Sequence, residues 1–307
     1  MFRWVALTIA IILFVVGTEN ASAQTPTEKN VVYGMYSGLA LLMDVYRPEQ
    51  PNGHGVIFVA GSGWQAPLEY NAVGLKDGTA QTAAWLPPLL RAGYTVFAIN
   101  HRATPRFHYP APLEDVQRAI RFVRHHAEQY RIQPMSLGAL AGSSGAHLIG
   151  LAAMLASPGI KDDPDPINRQ PAMLQCIALR AAPTDFVNRM GTGAGGAISL
   201  LMQMPTASPA TMKAYAAASP ITHVSRSAPP TLLLHGDADE TVPYQQSVAM
   251  EAALRAVQVP VKLVTAPGGA HGPTFAVKGK SHPDLSAFTG EVVRWFDQHL
   301  KPHATSR

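Results

Sequence analysis

Residues 139–149 read ALAGSSGAHLI, two adjacent serines set among small residues. Before them LGALA (137–141) is a short apolar run, and after them SGAHLIGLAAMLA (144–156) is helical by composition. A buried strand, a tight turn and a helix in that order carry a residue to the tip of the turn. The side chains two before and two after that tip must be small, or they collide. Read on Ser143 the flanking pair is Ala141 and Gly145; read on Ser144 it is Gly142 and Ala146. Both frames pass the steric test. LGALA ends just before Gly142, which places Ser143 at the tip and Ser144 at the helix start.

Outward from the turn, apolar runs alternate with helical patterns. ALLMDVY (40–46), VIFVA (56–60), YTVFAIN (94–100), LQCIALR (174–180), TLLLH (231–235) and VKLVTA (261–266) read as strands. LEDVQRAIRFVRHHA (113–127) is apolar at 113, 116, 119, 120, 123 and 127, one face of a helix. LSAFTGEVVRWFDQHL (285–300) closes as an amphipathic helix. Continuously apolar strands separated by helices predict an α/β fold, with a mainly parallel sheet covered on both faces. Strands ahead of the first helix predict an antiparallel start to that sheet. KDDPDPINRQP (161–171) is a polar loop. Residues 188–219, rich in Gly, Ala and Met, break the rhythm. They read either as a lid-like insertion at the sheet's C-terminal edge or as ordinary connecting helices.

A serine hydroxyl is a weak nucleophile near neutrality. It needs a base, an acid that orients the base, and donors for the developing oxyanion. After the serine, TLLLHGDADETVP (231–243) is a strand running into a loop with Asp237 and Asp239. VKLVTAPGGAHGPTF (261–275) is a strand, a glycine-rich loop and His271. The order serine, acid, histidine is that of a hydrolase built on a strand–turn–helix elbow. His271 is the expected base, with His235 and His282 as rivals.

Here a resemblance becomes explicit. LAGSSGAHL (140–148) is similar to the elbow of secreted bacterial esterases related to the hormone-sensitive-lipase group, notably the bifunctional acetylxylan/feruloyl esterases. Their usual form is Gly-x-Ser-Ala-Gly-Gly-His-Leu. His147 lies four after Ser143, so the resemblance sets the nucleophile at Ser143; Ala141 and Ala146 replace two of the family glycines. His147 itself is read as a packing and hydrogen-bonding residue. The 231–243 segment resembles His-Gly-x-x-Asp-x-x-Val-Pro, which picks Asp239 as the acid and leaves Asp237 to cap the loop. VIFVAGSGWQ (56–65) stands where the family carries His-Gly-Gly-Gly-Trp, with Ala60 and Ser62 as departures. The resemblance implies an oxyanion hole from the backbone N–H groups of Gly61, Ser62 and Ser144. The missing histidine at Ala60 bears on how this loop is anchored, not on the donor chemistry. LLMDVYRP, the INHRATPRFHYP segment and SPITHVS (219–225) extend the resemblance over most of 38–300; it weakens in 65–85 and 186–218. The implied fold is the α/β-hydrolase fold, and the implied activity is hydrolysis of carboxylic esters, polysaccharide or small-molecule. Arg102, Glu114 and Asp115 are expected as structural pairs near the elbow. Trp64 is expected either to stack on substrate or to pack.

The N-terminus carries a separate signal. Arg3, the apolar run Val5–Val16 and Ala21-Ser22-Ala23 read as a signal peptide over 1–23, cut before Gln24, with an uncleaved anchor as the alternative. The expectation is a secreted or periplasmic protein, with one hydrolase domain over 24–307 and no later membrane span. Cys176, the one cysteine, lies in an apolar run and reads as a small buried hydrophobe. A net charge of +4 with no basic run argues against nucleic-acid binding. Adjacent His125 and His126 have the wrong spacing to share a metal, and neither metal nor other cofactor is expected. Two other readings compete: a serine peptidase of the prolyl-oligopeptidase kind, which shares the acid motif, and a non-catalytic binding protein on a hydrolase fold. The first lacks its usual long N-terminal propeller here. The second predicts a broken triad, and this one is complete in sequence.

Overall fold

The computed structural model describes residues 24–69, 73–188, 195–204 and 209–301. The strands are β1 (Glu28–Tyr36), β2 (Leu39–Tyr46), β3 (Gly55–Val59), β4 (Thr95–Ile99), β5 (Leu137–Gly142), β6 (Cys176–Arg180), β7 (Thr231–Gly236) and β8 (Val261–Ala266). They form one 8-stranded sheet in the order β1-β2-β4-β3-β5-β6-β7-β8. β2 runs antiparallel to both β1 and β4, and β3 to β8 are mutually parallel, which is the antiparallel start followed by a parallel sheet that the sequence predicts.

Period-two burial explains the two layers. In β3, Ile57 and Val59 enter the core on one face and Val56 and Phe58 the core on the other. The first face is covered by α2 (Ala111–His125), α3 (Ser143–Leu155) and α6 (Gln245–Ala256), through Val116, Ile120, Leu148, Leu151, Met250 and Leu254. The second is covered by α1 (Thr79–Arg91) and α7 (Leu285–Leu300), through Trp85, Leu89, Phe288, Val292 and Phe296. Strands buried on both faces have no polar side to present, so they read as unbroken apolar runs. This is the α/β-hydrolase architecture.

Three elements are absent from the sequence reading. β1 is an edge strand in which only Tyr33 is buried, so it carries little apolar signal. α1 contains Pro87 and Pro88, which locally oppose a helix; burial of Trp85, Leu86 and Leu89 holds it together. α6 has a weak apolar face. Residues 1–23, the expected signal peptide, lie outside the described residues, as do 189–194 and 205–208 of the 188–219 segment. The described parts of that segment are α4 (Gly195–Met202) and α5 (Pro209–Ala217). It docks on the chain entering α2: Tyr109 N–H donates to Leu201 O (2.9 Å), and the His108 ring to Leu200 O (2.8 Å). Among the described residues no helix is long and apolar enough to cross a membrane.

The topology chooses the site. From β3 the chain crosses to its neighbour β4, then returns over β3 to β5 on the other side. The order reverses between β3 and β5, and a crevice opens beyond their C-terminal ends. The loop with Gly61 leaves β3 there, and the turn with Ser143 leaves β5.

Candidate active site

Ser143 sits between β5 and α3 with φ +51°, a left-handed conformation that a side chain tolerates only where packing enforces it. The small residues around it are sterically required. A methyl on Gly145 would stand 2.4 Å from Val59 O, so only glycine lets α3 approach β3 this closely. A methyl on Gly61 would stand 2.8 Å from both Gly142 O and Ser143 Cβ. The turn and the loop after β3 are thus in close contact.

The loops after β7 and β8 bring Asp239 and His271 to the same point. His271 Nε2 lies 3.0 Å from Ser143 Oγ, and its Nδ1 lies 2.7 Å from Asp239 Oδ2. With Nδ1–H donated to the carboxylate, Nε2 is left as an acceptor facing the Ser143 hydroxyl. Asp239 is buried, and its other oxygen accepts the N–H groups of Thr241 (2.9 Å) and Val242 (2.7 Å). Burial alone would raise its pKa. Hydrogen bonds from His235 and His271, with the Val242 N–H, outweigh burial and hold the carboxyl well below the usual range. The Asp239 carboxyl therefore stays ionised near neutrality and well into the acid range.

The rival residues fall elsewhere. His235 is fully buried, with its ring nitrogens on Ser247 Oγ (2.7 Å) and Val242 O (2.9 Å), and it orders the loop of Asp239. His282 ties Pro267 O (3.1 Å) to the N–H of Asp284 (3.1 Å). Asp237 accepts the N–H of Gly268 (2.6 Å) and so caps its loop. Arg102 binds Asp115 (2.9 Å from Nε) and Glu114 (2.9 Å from Nη2), as structural ion pairs.

His147 is fully buried; desolvation pulls its pKa down to about 4, partly offset by its bond to Ala218 O. Neutral, it accepts from Trp64 Nε1–H at 3.1 Å and donates from Nε2 to Ala218 O at 2.8 Å. It therefore links the loop after β3 to the end of the 188–219 segment. Trp64 is buried edge-on against His147 and Phe186, so it packs and does not present a face to substrate.

The oxyanion side departs from expectation. Gly61 N–H donates to Gln81 Oε1 (2.8 Å), and Gln81 Nε2 donates back to Gly61 O (2.9 Å). Ser62 N–H donates to Ser144 Oγ (2.8 Å). Both expected loop donors are thus engaged internally, whereas Gly63 N–H has no acceptor among the described residues. Ser144 N–H opens α3 and has no intrahelical partner. Gly63 and Ser144 thus carry N–H groups with no acceptor among the described residues, whereas those of the expected Gly61 and Ser62 are engaged. The physical reason is that two side chains take the earlier N–H groups: Gln81 from α1, and the hydroxyl of Ser144 where the resembled motif has alanine. Sequence inspection passes over Gln81, which lies far along the chain in a segment of weak resemblance. It also passes over Arg180, buried at the end of β6, which donates to Gly272 O (2.7 Å) next to His271. An arginine at the end of a buried strand was the one available signal.

Comparison with known proteins adds the following. The model of the BD-FAE family matches residues 43–254. A probable carboxylic ester hydrolase, LipM of Mycobacterium tuberculosis, is 30% identical over 239 residues, 74% of this chain and 52% of its own. The chain thus spans about half the length of these curated relatives. Among solved structures, a truncated carbohydrate esterase from gut microbiota is 26% identical with a TM-score of 0.71, covering 89% of this chain and 99% of that one. The acetyl ester-xyloside bifunctional hydrolase of Caldicellulosiruptor lactoaceticus, 23% identical with a TM-score of 0.74 over 90% and 98%, shares the fold.

Proposed function

This chain belongs to the BD-FAE family, and from that premise we propose that it is a serine carboxylesterase working through an acyl-enzyme. The substrates proposed are acetyl or feruloyl esters of polysaccharide, or small esters of the same acids. The observation that carries the reading is the bridging imidazole, 3.0 Å from Ser143 Oγ and 2.7 Å from Asp239. Ser143 attacks the ester carbonyl while His271 takes its proton, and Asp239 holds the tautomer and favours the imidazolium. The tetrahedral oxygen is received by Ser144 N–H and Gly63 N–H. His271 then protonates the leaving alcohol, and water repeats the cycle on the acyl-serine. The names of the carbohydrate esterase and of the acetyl ester-xyloside hydrolase support the acetyl-carbohydrate class. Export with cleavage before Gln24 belongs to the same proposal, since polysaccharide is met outside the cell; N-terminal sequencing of the exported protein tests it.

The test is labelling of the protein with a fluorophosphonate and peptide mapping, beside Ser143→Ala and Ser144→Ala. A label on Ser143 that is lost in Ser143→Ala and survives Ser144→Ala is expected. An unlabelled wild type, or a label that survives Ser143→Ala, overturns the mechanism. Matched ester and anilide substrates then separate an esterase from a peptidase of the same triad order: faster turnover of the esters is expected.

A further inference from the structure

Arg180 ends β6 at the floor of the crevice, 3% exposed, and no carboxylate pairs with it among the described residues. A buried cation without a partner is costly, and a chain retains one only where its placement matters. Burial pulls its pKa down to about 10, with the charge of Asp239 acting the other way, so it is cationic near neutrality. Its donors go to the machinery described above. Nη1 donates to Gly272 O at 2.7 Å, the carbonyl next to His271. Nη2 reaches Gln81 Oε1 at 3.4 Å, the same oxygen that accepts the N–H of Gly61. The guanidinium also lies against Gly142: a methyl there would be 2.0 Å from Nη2. One side chain therefore touches the turn before Ser143, the loop after His271 and, through Gln81, the loop after β3. The guanidinium is a rigid planar fork, suited to holding several acceptors at fixed angles.

We propose that Arg180 is a positioning residue for the ester-hydrolysing centre, locking the Ser143 turn, the His271 loop and, through Gln81, the Gly61 loop into one rigid arrangement in a chain whose Ala60 offers no polar anchor. The inference rests on the serine-esterase reading. It makes Gly142 a spacing residue for the guanidinium, and it makes Gln81 an intermediary and not an independent contributor.

The experiment compares wild type, Arg180→Met, Arg180→Lys, Gln81→Leu and the double variant Arg180→Met/Gln81→Leu. Hydrolysis of p-nitrophenyl acetate is measured, with active sites counted by fluorophosphonate titration and folding followed by thermal melts. For Arg180→Met, kcat per titrated site is expected to fall on the order of 100-fold, the cost of a misplacement of about 1 Å, with KM changed less than about threefold. Lysine restores the charge but not the fork and is expected to recover part of that loss. Gln81→Leu is expected to lose about tenfold in kcat, and the double variant no more than Arg180→Met alone, because coupled residues are not additive. A merely structural Arg180 would lower the melting temperature and the number of titratable sites while leaving kcat per site at the wild-type value; that result overturns the proposal. If Arg180→Met does not fold, wild-type kcat per site in both Arg180→Lys and Gln81→Leu overturns it equally. A wild type that neither titrates nor turns over ester instead overturns the esterase reading on which the inference stands.

Discussion

The two sides of the crevice are held differently. On the base side, His271, Asp239 and the N–H groups of Thr241 and Val242 are joined within the loops after β7 and β8, and one distant group, Arg180, braces them at Gly272 O. On the oxyanion side, the loop after β3 is held by groups from distant elements: Gln81 of α1, Ser144 of α3 and, through Trp64, His147. One polar atom there, Ser62 Oγ, is buried with no hydrogen-bond partner among the described residues. The difference shows where chemistry is local and where it is not. A carboxylate and an imidazole are joined by short loops whose residues carry their own identity. Backbone donors have no side-chain identity, and which of them faces the substrate depends on what else captures them.

Four changes probe this contrast. The largest effect is expected for Ser143→Ala, a loss on the order of 10⁶-fold in kcat, leaving only what binding and the oxyanion donors supply; residual turnover above about one part in 10³ would place the nucleophile elsewhere. Asp239→Asn breaks the base side alone and is expected to cost about 10⁴-fold in kcat, because the amide no longer holds the imidazole in its working tautomer; a loss under tenfold would make the carboxylate dispensable. Gly61→Ala attacks the oxyanion side, since its methyl would press on Gly142 O and Ser143 Cβ at 2.8 Å. A loss of about 10²-fold in kcat is expected, measured per titrated site, and wild-type kcat would mean that the loop yields freely.

The smallest effect is on stability. The folded pKa of Asp239 is depressed, so the ionised carboxylate stabilises the native state at all pH above the unfolded value of about 3.9. That contribution is lost progressively as pH falls below about 4 towards the folded value. Urea unfolding at pH 7, 4 and 3 is expected to show the decline, and Asp239→Asn is expected to show a shallower one. Equal slopes would place the acid sensitivity in other carboxylates.

Legibility in the sequence follows the range of the interactions. Residues 285–300 read as a helix, and α7 has those bounds, because its apolar stripe is an intrinsic pattern. The doubly buried strands β3 to β7 stand out for the same reason. β1 was hidden because an edge strand needs only one inward residue, and α1 because two prolines contradict a helix that tertiary burial nonetheless holds. At the site, Ser143, Asp239 and His271 each sit in a motif that marks a turn or loop, and the fold brings the three to hydrogen-bond distance.

By itself, then, the sequence determined the alternation of strands and helices, the chain order of serine, carboxylate and imidazole, and the tip of the turn, since all three rest on residue type and local spacing. Only the tertiary structure decided which backbone N–H groups remain open, that Gln81 anchors the Gly61 loop, and that a buried Arg180 lies beneath Gly142. Those outcomes depend on side chains between 20 and 99 residues apart meeting at one point, and nothing in the local sequence encodes such a meeting.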